Sequence, residues 1–139
     1  MRHNEPVSHI MTTDVKSVHT AQKLSDVYNL LTENMIHHVP VVDGDTLIGM
    51  VSSTDMMKLS LDAYGTPDTA NAAFLDSQFP IEDVMSNAMV TVKPDDTIRA
   101  AAELLSKGSF HSLPVVEDGG KLVGIVTTTD LVNYLLAQY

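Results

Sequence analysis

The sequence predicts an α+β fold of the α/β sandwich-like type, made of two repeats of β-α-β-β-α. The first observation is an internal repeat, because the stretch from His37 to Asp55 reappears from His111 to Asp130. The second is an apolar period of 3.6 residues upstream of that stretch in both copies, which is typical of a helix packed on a core. The third is a pair of short apolar runs flanking a glycine-containing turn, which favours an antiparallel hairpin. A repeat that extends over most of the chain predicts two similar structural units.

Composition indicates a globular protein of a reducing compartment. Hydrophobic residues make up 44% of the 139 residues, which is ordinary for a packed core. The absence of cysteine excludes a disulfide framework and thiolate chemistry. No apolar run suits a signal peptide or a membrane span, so we predict a cytoplasmic protein. Eight basic against 18 acidic residues give a net charge of −10, which argues against nucleic acid or an acidic membrane surface as a partner.

Each copy is predicted to begin with a short helical turn and a short strand. The turns are Val7–Met11 and Ile81–Met85, which match at a spacing of 74 residues. The strands are Val15–Val18 and Met89–Val92, where Val, Thr and Ser dominate, and the β-branched residues among them favour a strand.

A helix is predicted next in each copy from apolar residues at i, i+3, i+4 and i+7. In the first copy, with one more residue at i+11, these are Leu24, Val27, Tyr28, Leu31 and Met35. In the second copy they are Ile98, Ala101, Ala102 and Leu105.

The ends of these two helices are predicted from residues that favour capping. Thr20 is predicted to cap the first helix, and either Asp95 or Thr97 the second. Asn34 and Gly108 are predicted to end the helices with a left-handed backbone.

A hairpin, a hydroxyl-rich turn and a last helix complete each copy. The hairpin strands are Val39–Val42 with Leu47–Val51, and Leu113–Val116 with Leu122–Val126. The last helices are predicted to begin near Met56 and Leu131. The predicted organisation is therefore a repeat at residues 7–60, a linker at residues 61–80 and a repeat at residues 81–137. Within the linker, Thr69–Leu75 is predicted to form a short helix, because a structureless loop of that length is unusual inside a compact domain.

The chemistry that the sequence suggests lies in the turns between the hairpins and the last helices. Hydroxyls and a carboxylate gather there in both copies, as Ser52, Thr54 and Asp55, and as Thr127, Thr129 and Asp130. Helix N-termini stabilise anions such as phosphate, hydroxyls donate to phosphate, and carboxylates accept from sugar hydroxyls. The alternative is that these residues only cap helices, as Ser, Thr and Asp do at any helix N-terminus.

Two histidines repeat with the turns. His37 and His111 share the spacing of 74 residues, which predicts a common role in packing or in contact with a ligand. His38 has no histidine counterpart, and adjacent residues on a strand point to opposite faces, so no metal site is predicted. The sequence contains no phosphate-binding loop, no nucleophile elbow and no close acid–base pair. No catalytic residue is assigned, and the chain is predicted not to be an enzyme.

The repeated pattern His-x-[Val/Leu]-Pro-Val-Val, followed by Leu-x-Gly-[Met/Ile]-Val-[Ser/Thr]-x-Thr-Asp, resembles the CBS domain, named for cystathionine β-synthase. The resemblance extends over about residues 7–60 and 81–137. It implies a tandem pair, often called a Bateman module, in which two repeats with the β-α-β-β-α order derived above pack with pseudo-twofold symmetry. Such a chain is either a free-standing module or a fragment of a longer protein, and its start at Met1 favours the free-standing module.

The resemblance implies a regulatory module that binds AMP, ADP, ATP or S-adenosylmethionine in two clefts between the repeats and acts on a partner protein, with no further cofactor required. Asp55 and Asp130 would hold ribose hydroxyls, and the paired hydroxyls of each turn would contact phosphate or ribose. Backbone groups of Lys16 and Val90 would contact adenine. The residues that would border adenine and phosphate are Ile36, His37, Phe110 and His111.

The resemblance also bears on affinity and assembly. Many nucleotide-binding members carry Arg after the His, where this sequence has His38 and Ser112. Because Arg holds phosphate bidentately, we expect weaker binding of triphosphates here. The same departure supports an alternative, a structural or interaction module without a ligand. Family members commonly pair, so a homodimer is expected, whereas the regulated partner is not specified by the sequence.

Overall fold

The computed structural model describes residues 4–34, 36–62, 79–108 and 110–139. The chain divides into two compact units, which we name after the acidic residue of each turn. The Asp55 unit is Lys16–Met89, and the Asp130 unit combines Met1–Val15 with Val90–Tyr139. Within the described ranges, no helix combines the length and the apolarity that a membrane crossing requires.

The Asp55 unit contains a three-stranded sheet. Its elements are β1 (Val18–His19), α1 (Leu24–Glu33), β2 (His38–Asp43), β3 (Thr46–Ser52), α2 (Ser53–Asp62) and α3 (Ile81–Val84). β2 lies in the middle, parallel to β1 and antiparallel to β3. Fully buried aliphatic side chains form the core, among them Val18, Leu24, Val27, Val39, Val41 and Val51. The predicted order of strand, helix, strand, strand and helix is confirmed, and the predicted helix at Thr69–Leu75 lies outside the described residues.

The Asp130 unit contains a two-stranded sheet. Its elements are a 3-10 helix (Val7–His9), α4 (Ile98–Ser106), β4 (Ser112–Val116), β5 (Leu122–Thr127) and α5 (Thr128–Ala137). β4 and β5 pair antiparallel. The predicted strand before α4 is reduced to a single parallel bridge between Val92 and Val115. Its core is again aliphatic and consists of Val7, Val92, Ala101, Leu105, Leu113, Val115 and Val126. Both units confirm the predicted α+β class.

Two arms, residues 4–15 and residues 79–89, each belong to the unit built mostly from the other sequence repeat. In the Asp130 unit, Thr12 exchanges two backbone hydrogen bonds with Ile125, with N–O distances of 2.8 and 2.9 Å. In the Asp55 unit, Ser86 exchanges the equivalent pair with β3, also at 2.8 and 2.9 Å. Each unit therefore contains residues of both repeats.

The structure confirms α1 and α4 but only one of the predictions for their N-terminal caps. Thr97 caps α4, because its Oγ1 accepts the Ala100 N–H at 3.0 Å. The prediction of Thr20 for α1 is wrong, since the cap position is Lys23. The Lys23 N–H donates to a carboxylate oxygen of Asp26 at 2.9 Å, so an acid inside the first turn takes the place of a capping hydroxyl.

The two helices also end differently. Gly108 follows α4 with φ at +78°, which confirms the predicted left-handed end. Asn34 ends α1 with φ at −105°, so the left-handed prediction is wrong there. Its side-chain amide instead donates to the Leu30 carbonyl at 3.0 Å, which satisfies a carbonyl of the last turn without a left-handed residue.

α2 and α5 begin at Ser53 and Thr128, three residues earlier than the predicted starts near Met56 and Leu131. The prediction treated the hydroxyl-rich residues as a loop. They form the first helical turn, because the residue before each helix supplies a capping oxygen.

Candidate functional site

The acidic turn of each unit is a reciprocal capping box at the start of a ten-residue helix. In the Asp55 unit, the Ser52 N–H donates to Asp55 Oδ2 at 2.9 Å, and the Asp55 N–H donates to Ser52 Oγ at 3.1 Å. In the Asp130 unit, the same two bonds join Thr127 and Asp130 at 2.9 and 3.0 Å. Capping is therefore present in both units, and it occupies one carboxylate oxygen of each aspartate.

The second carboxylate oxygen of each aspartate, Oδ1, takes no part in the capping bonds. Asp55 and Asp130 are both half-buried. Among the described residues, no hydrogen bond reaches Asp55 Oδ1, whereas Asp130 Oδ1 lies 3.5 Å from the Thr12 hydroxyl. Because a carboxylate oxygen accepts more than one hydrogen bond, each aspartate can cap its helix and accept from a bound molecule at the same time.

The predicted histidines lie against these turns through their backbone. The His37 carbonyl accepts the Ser53 N–H at 2.9 Å, and the His111 carbonyl accepts the Thr128 N–H at 3.0 Å. Both imidazoles are exposed. The apolar residue before each histidine is half-buried and packs on the core of its own unit. In each unit the backbone of the histidine thus adjoins the hydroxyl–acid turn, and the apolar residue before it packs on the core.

A family model for the CBS domain matches residues 7–62 and 81–137, which is most of the chain. The chain belongs to the CBS domain family. Two curated relatives of similar length are uncharacterized protein MJ1426 of Methanocaldococcus jannaschii and CBS domain-containing protein YhcV of Bacillus subtilis. The first is 32% identical over 86% of this chain and 84% of its own length. The second is 31% identical over 90% of this chain and 81% of its own length.

Other CBS relatives are longer than this CBS pair. The chain spans 47% of uncharacterized protein MJ1225 of M. jannaschii, at 29% identity over 94% of the chain. It spans 24% of homoserine O-acetyltransferase of Methanobrevibacter ruminantium, at 31% identity over 96% of the chain.

Solved structures of CBS pairs share the fold. CBSX2 in complex with AMP superposes with a TM-score of 0.80 at 27% identity, covering 96% of this chain and 98% of that chain. CBSX2 from Arabidopsis thaliana gives a TM-score of 0.79 at 29% identity, covering 97% and 96%. The predicted family and fold class are confirmed.

One polar residue at the turn of this CBS pair was missed by the sequence analysis. Thr12 belongs to the arm of the Asp130 unit, and its hydroxyl approaches the outer oxygen of Asp130. Ser86 holds the equivalent place on the other arm, 74 residues later. A signal for them was present, because a hydroxyl residue directly follows Met11 and Met85 in both copies.

Four further predicted site residues are exposed, two in the turns and two outside them. Thr54 and Thr129 are exposed in the first helical turns. Lys16 is exposed and is the first residue of the Asp55 unit. Val90 is also exposed and is the first residue of Val90–Tyr139, the second segment of the Asp130 unit. Within the described residues, no backbone hydrogen bond joins Val90 to its turn.

The residue after each histidine, His38 or Ser112, stands where many nucleotide-binding family members carry arginine. Ser112 is 8% exposed, and its hydroxyl has no hydrogen-bond partner within the described part of the chain. His38 is half-buried in β2. Neither position presents a cation to a phosphate at the turn. The described residues also contain no group of three His, Asp or Glu side chains placed to hold a metal ion.

Proposed function

We propose that this CBS pair is a cytoplasmic regulatory module that binds an adenosine-containing ligand at the Ser52–Asp55 and Thr127–Asp130 turns and thereby acts on a partner protein. The observation that carries the proposal is the repetition of one turn geometry, with a histidine beside it, in both units. The ligand class is supported by CBSX2, which was solved with AMP and matches 96% of this chain at 27% identity.

Each turn offers the groups that a ribose monophosphate needs. Oδ1 of Asp55 or Asp130 is an acceptor for the vicinal hydroxyls of a ribose. The hydroxyls of Thr54 and Thr129 are exposed donors at the positive end of a helix, where a phosphate is stabilised. One CBS pair therefore has two turns of equal chemistry, and two binding events per chain are expected.

The charge of the chain favours a ligand that carries little phosphate. The net charge is −10, and each turn places a carboxylate beside the helix end that would receive the phosphate. Because no arginine stands at the positions of His38 and Ser112, the bidentate grip that compensates this repulsion elsewhere is missing. AMP and S-adenosylmethionine are expected to bind more tightly than ADP and ATP.

Calorimetric titration of the purified chain with AMP, S-adenosylmethionine, ADP and ATP tests the proposal. The variants are Asp55→Asn and Asp130→Asn, because Asn retains an oxygen for the capping bond and loses the charged acceptor. A charge-assisted hydrogen bond contributes about 1.5–3 kcal/mol, so each variant should lose one of two AMP binding events at ligand concentrations that saturate the wild type.

Asp26→Asn is the matched control for these variants. Asp26 makes the same side-chain bond to a backbone N–H, at 2.9 Å, but at the start of α1 and away from the hydroxyl–acid turns. It should lose as much stability as the turn variants and keep both binding events. A wild type that binds none of the four ligands contradicts the proposal, as does equal binding by wild type and both turn variants.

A structural or interaction module without a ligand is the second candidate. The observation that favours it is that capping alone accounts for Ser52, Thr127 and one oxygen of each aspartate. In addition, His38 and Ser112 cannot bind phosphate bidentately as an arginine does. It predicts no change in melting temperature with any of the four ligands. A ligand at 100 times its dissociation constant adds about 2.7 kcal/mol to the free energy of unfolding, so thermal shift separates the two candidates.

We also propose that the module is a homodimer that pairs through the outer face of α5. Three apolar side chains on that face, Val132, Leu135 and Leu136, are between 44% and 67% exposed, and Tyr139, two residues past the end of the helix, is 96% exposed. Leu131–Tyr139 contains no charged residue, so two copies with a net charge of −10 each repel one another least at this face.

Sedimentation velocity should show a dimer for the wild type and a monomer for Leu136→Glu. Tyr28→Glu, at a residue 57% exposed on α1, is the control that should remain dimeric, and a monomeric wild type contradicts the dimer.

A further inference from the structure

Within one chain, α5 has the fewest fully buried side chains among the long helices in the described ranges, although Leu131 packs partly buried on the core of its unit. α1 and α4 each bury three side chains, and α2 buries Met56 and Leu59. α5 buries none of its ten residues. A helix with so little buried apolar surface depends more on polar contacts for its placement.

Tyr134 supplies such a contact. Its Oη donates to Oε1 of Glu5 at 2.9 Å, across 129 residues of sequence. Glu5 is itself well fixed, because its carbonyl accepts the Ile98 N–H at 2.8 Å and its Oε2 lies 3.3 Å from His9 Nδ1. The Glu5 side chain is only 20% exposed, so this bond is sheltered from water and helps anchor the middle of α5 to the arm of its unit.

The anchor and the ligand turn share one face of α5. Tyr134 follows Asp130 by four residues, which places the two side chains one above the other on the helix. The arm runs along that face, with Thr12 at Asp130 and Glu5 at Tyr134. A helix moves nearly as a rigid rod over one turn, so a shift of Tyr134 displaces the Asp130 carboxylate.

The Asp55 unit has no such polar anchor at the equivalent place. By the repeat spacing, Leu59 corresponds to Tyr134 and Phe79 corresponds to Glu5. Leu59 is 8% exposed in the core, and Phe79 packs against the same core cluster. At the place equivalent to the Tyr134–Glu5 bond, α2 and its arm therefore meet the core through apolar side chains.

We propose that Glu5 and Tyr134 are positioning residues for the Asp130 turn, so that the Tyr134–Glu5 hydrogen bond sets ligand affinity at that turn and not at the Asp55 turn. This inference rests on the proposed function for its ligand. It makes the two sites of the chain unequal in a defined way, since one is supported by a bond that a substitution or a partner can remove.

The test is calorimetric titration with AMP in two backgrounds that each retain one turn. In the Asp55→Asn background, Tyr134→Phe and Glu5→Ala should each weaken AMP binding roughly two- to tenfold, the equivalent of one hydrogen bond. The double variant should bind no more weakly than Glu5→Ala alone, because both substitutions remove the Tyr134–Glu5 bond. Glu5→Gln should remain within about twofold of its background, because the amide oxygen still accepts from Tyr134. In the Asp130→Asn background, Tyr134→Phe should leave AMP affinity unchanged.

Tyr28→Phe is the matched control, since Tyr28 is exposed on α1 and should change affinity in neither background. Amide hydrogen exchange without ligand gives an independent reading, because Tyr134→Phe should speed exchange in residues 128–134 but not in residues 53–59. Unchanged exchange, or equal loss of AMP affinity in both backgrounds, overturns the inference. If AMP binds in neither background while exchange in residues 128–134 is faster, the anchor stands and the proposed function fails.

Discussion

The two units use the same elements and hold their last helix in different ways. α2 is placed by Leu59 and Met56, both 8% exposed, whereas α5 buries no residue and bonds to the arm through Tyr134. Both helices nevertheless begin with the same reciprocal bonds, at 2.9 and 3.1 Å in one and at 2.9 and 3.0 Å in the other. The same capping bonds thus form at the start of both helices, although the rest of each helix is supported in a different way.

The difference has a direct energetic meaning. Burying a leucine side chain contributes about 1.5–3 kcal/mol, whereas a partly exposed hydrogen bond contributes about 0.5–1.5 kcal/mol. We therefore expect α2 to resist local opening more than α5, although the residues that face a ligand are alike. A repeat protein can keep one site chemistry twice while it varies the stability beneath it.

The largest expected effect comes from removing the apolar support of α2. Leu59→Ala should lower the free energy of unfolding by about 2–5 kcal/mol, because the lost contacts leave a cavity in a closely packed core. Tyr134→Phe should lower it by only about 1 kcal/mol, since one hydrogen bond is lost and the ring remains. Urea denaturation measures both. Met57→Ala, at a residue 65% exposed on the same helix, is the control and should change little. Equal losses for Leu59→Ala and Tyr134→Phe would remove the contrast between the units.

The next effect concerns the glycines on which the arms rest. A Cβ at Gly124 would lie 2.6 Å from the Met11 sulfur and 3.1 Å from the Thr12 carbonyl oxygen. A Cβ at Gly49 would lie 2.8 Å from Cγ of Met85 and closer still to its sulfur. Either glycine changed to alanine should therefore cost about 1–3 kcal/mol through overpacking.

Hydrogen exchange shows which arm each glycine supports. Gly124→Ala should loosen residues 4–15, and Gly49→Ala should loosen residues 79–89, because each clash falls on the arm of its own unit. Gly44→Ala is the control: its φ of +65° makes alanine strained, but nothing lies within 4 Å of the new Cβ, so both arms should stay protected. Loosening of the opposite arm in either variant would show that the arms are assigned to the wrong units.

Local patterns in the sequence were sufficient to predict most of the fold. The helical period predicted α1 and α4, and the apolar runs around a glycine turn predicted both hairpins, because burial of one face fixes these elements locally. The exchange of arms was not predictable in this way. VSHIM and IEDVM occupy equivalent positions in the repeat, so neither carries a local preference for one unit over the other.

The turn residues were predicted, but their chemistry was not separable from capping. A carboxylate and a hydroxyl at the start of a helix serve its backbone N–H groups and a bound ribose with the same atoms. The helix starts were placed three residues late for the same reason, because residues that favour caps also favour loops. A hydroxyl ahead of the helical pattern, such as that of Thr20, is the usual signal for a cap, whereas Asp26 accepts the Lys23 N–H from within the first turn of α1.

The difference between those two caps is the third test. Thr97→Ala should lower the free energy of unfolding by about 1 kcal/mol, since the Ala100 N–H loses its acceptor. Lys23→Ala should change it by less than about 0.5 kcal/mol, because the bond at that position comes from the Lys23 backbone N–H and survives the substitution. Chemical denaturation of the two variants in parallel is the measurement. A loss at Lys23 as large as that at Thr97 would mean that the Lys23 side chain supports α1 through a contact other than this backbone bond.

The smallest expected effect lies in the turn of the second hairpin, where the repeat carries one extra residue. Lys93 Nζ lies 2.9 Å from Asp118 Oδ1, and the hydrogen bond and the charge of Lys93 hold the pKa of Asp118 below its usual range. The same contact raises the pKa of Lys93. Because the folded pKa of Asp118 is the lower one, its contribution to stability is present above the unfolded pKa and is lost as the pH falls through the folded value. Lys93 contributes below its own unfolded pKa, so both contributions are present near neutrality.

The side chains are 59% and 89% exposed, and solvent screening makes such pairs weak. Asp118→Asn should therefore leave the melting temperature at neutral pH unchanged within error. An NMR titration of the Asp118 carboxyl should show its pKa rise when Lys93→Met removes the cation. If Asp118→Asn lowered the melting temperature as much as Thr97→Ala does, this turn would be a structural difference between the units and not a solvated addition to one of them.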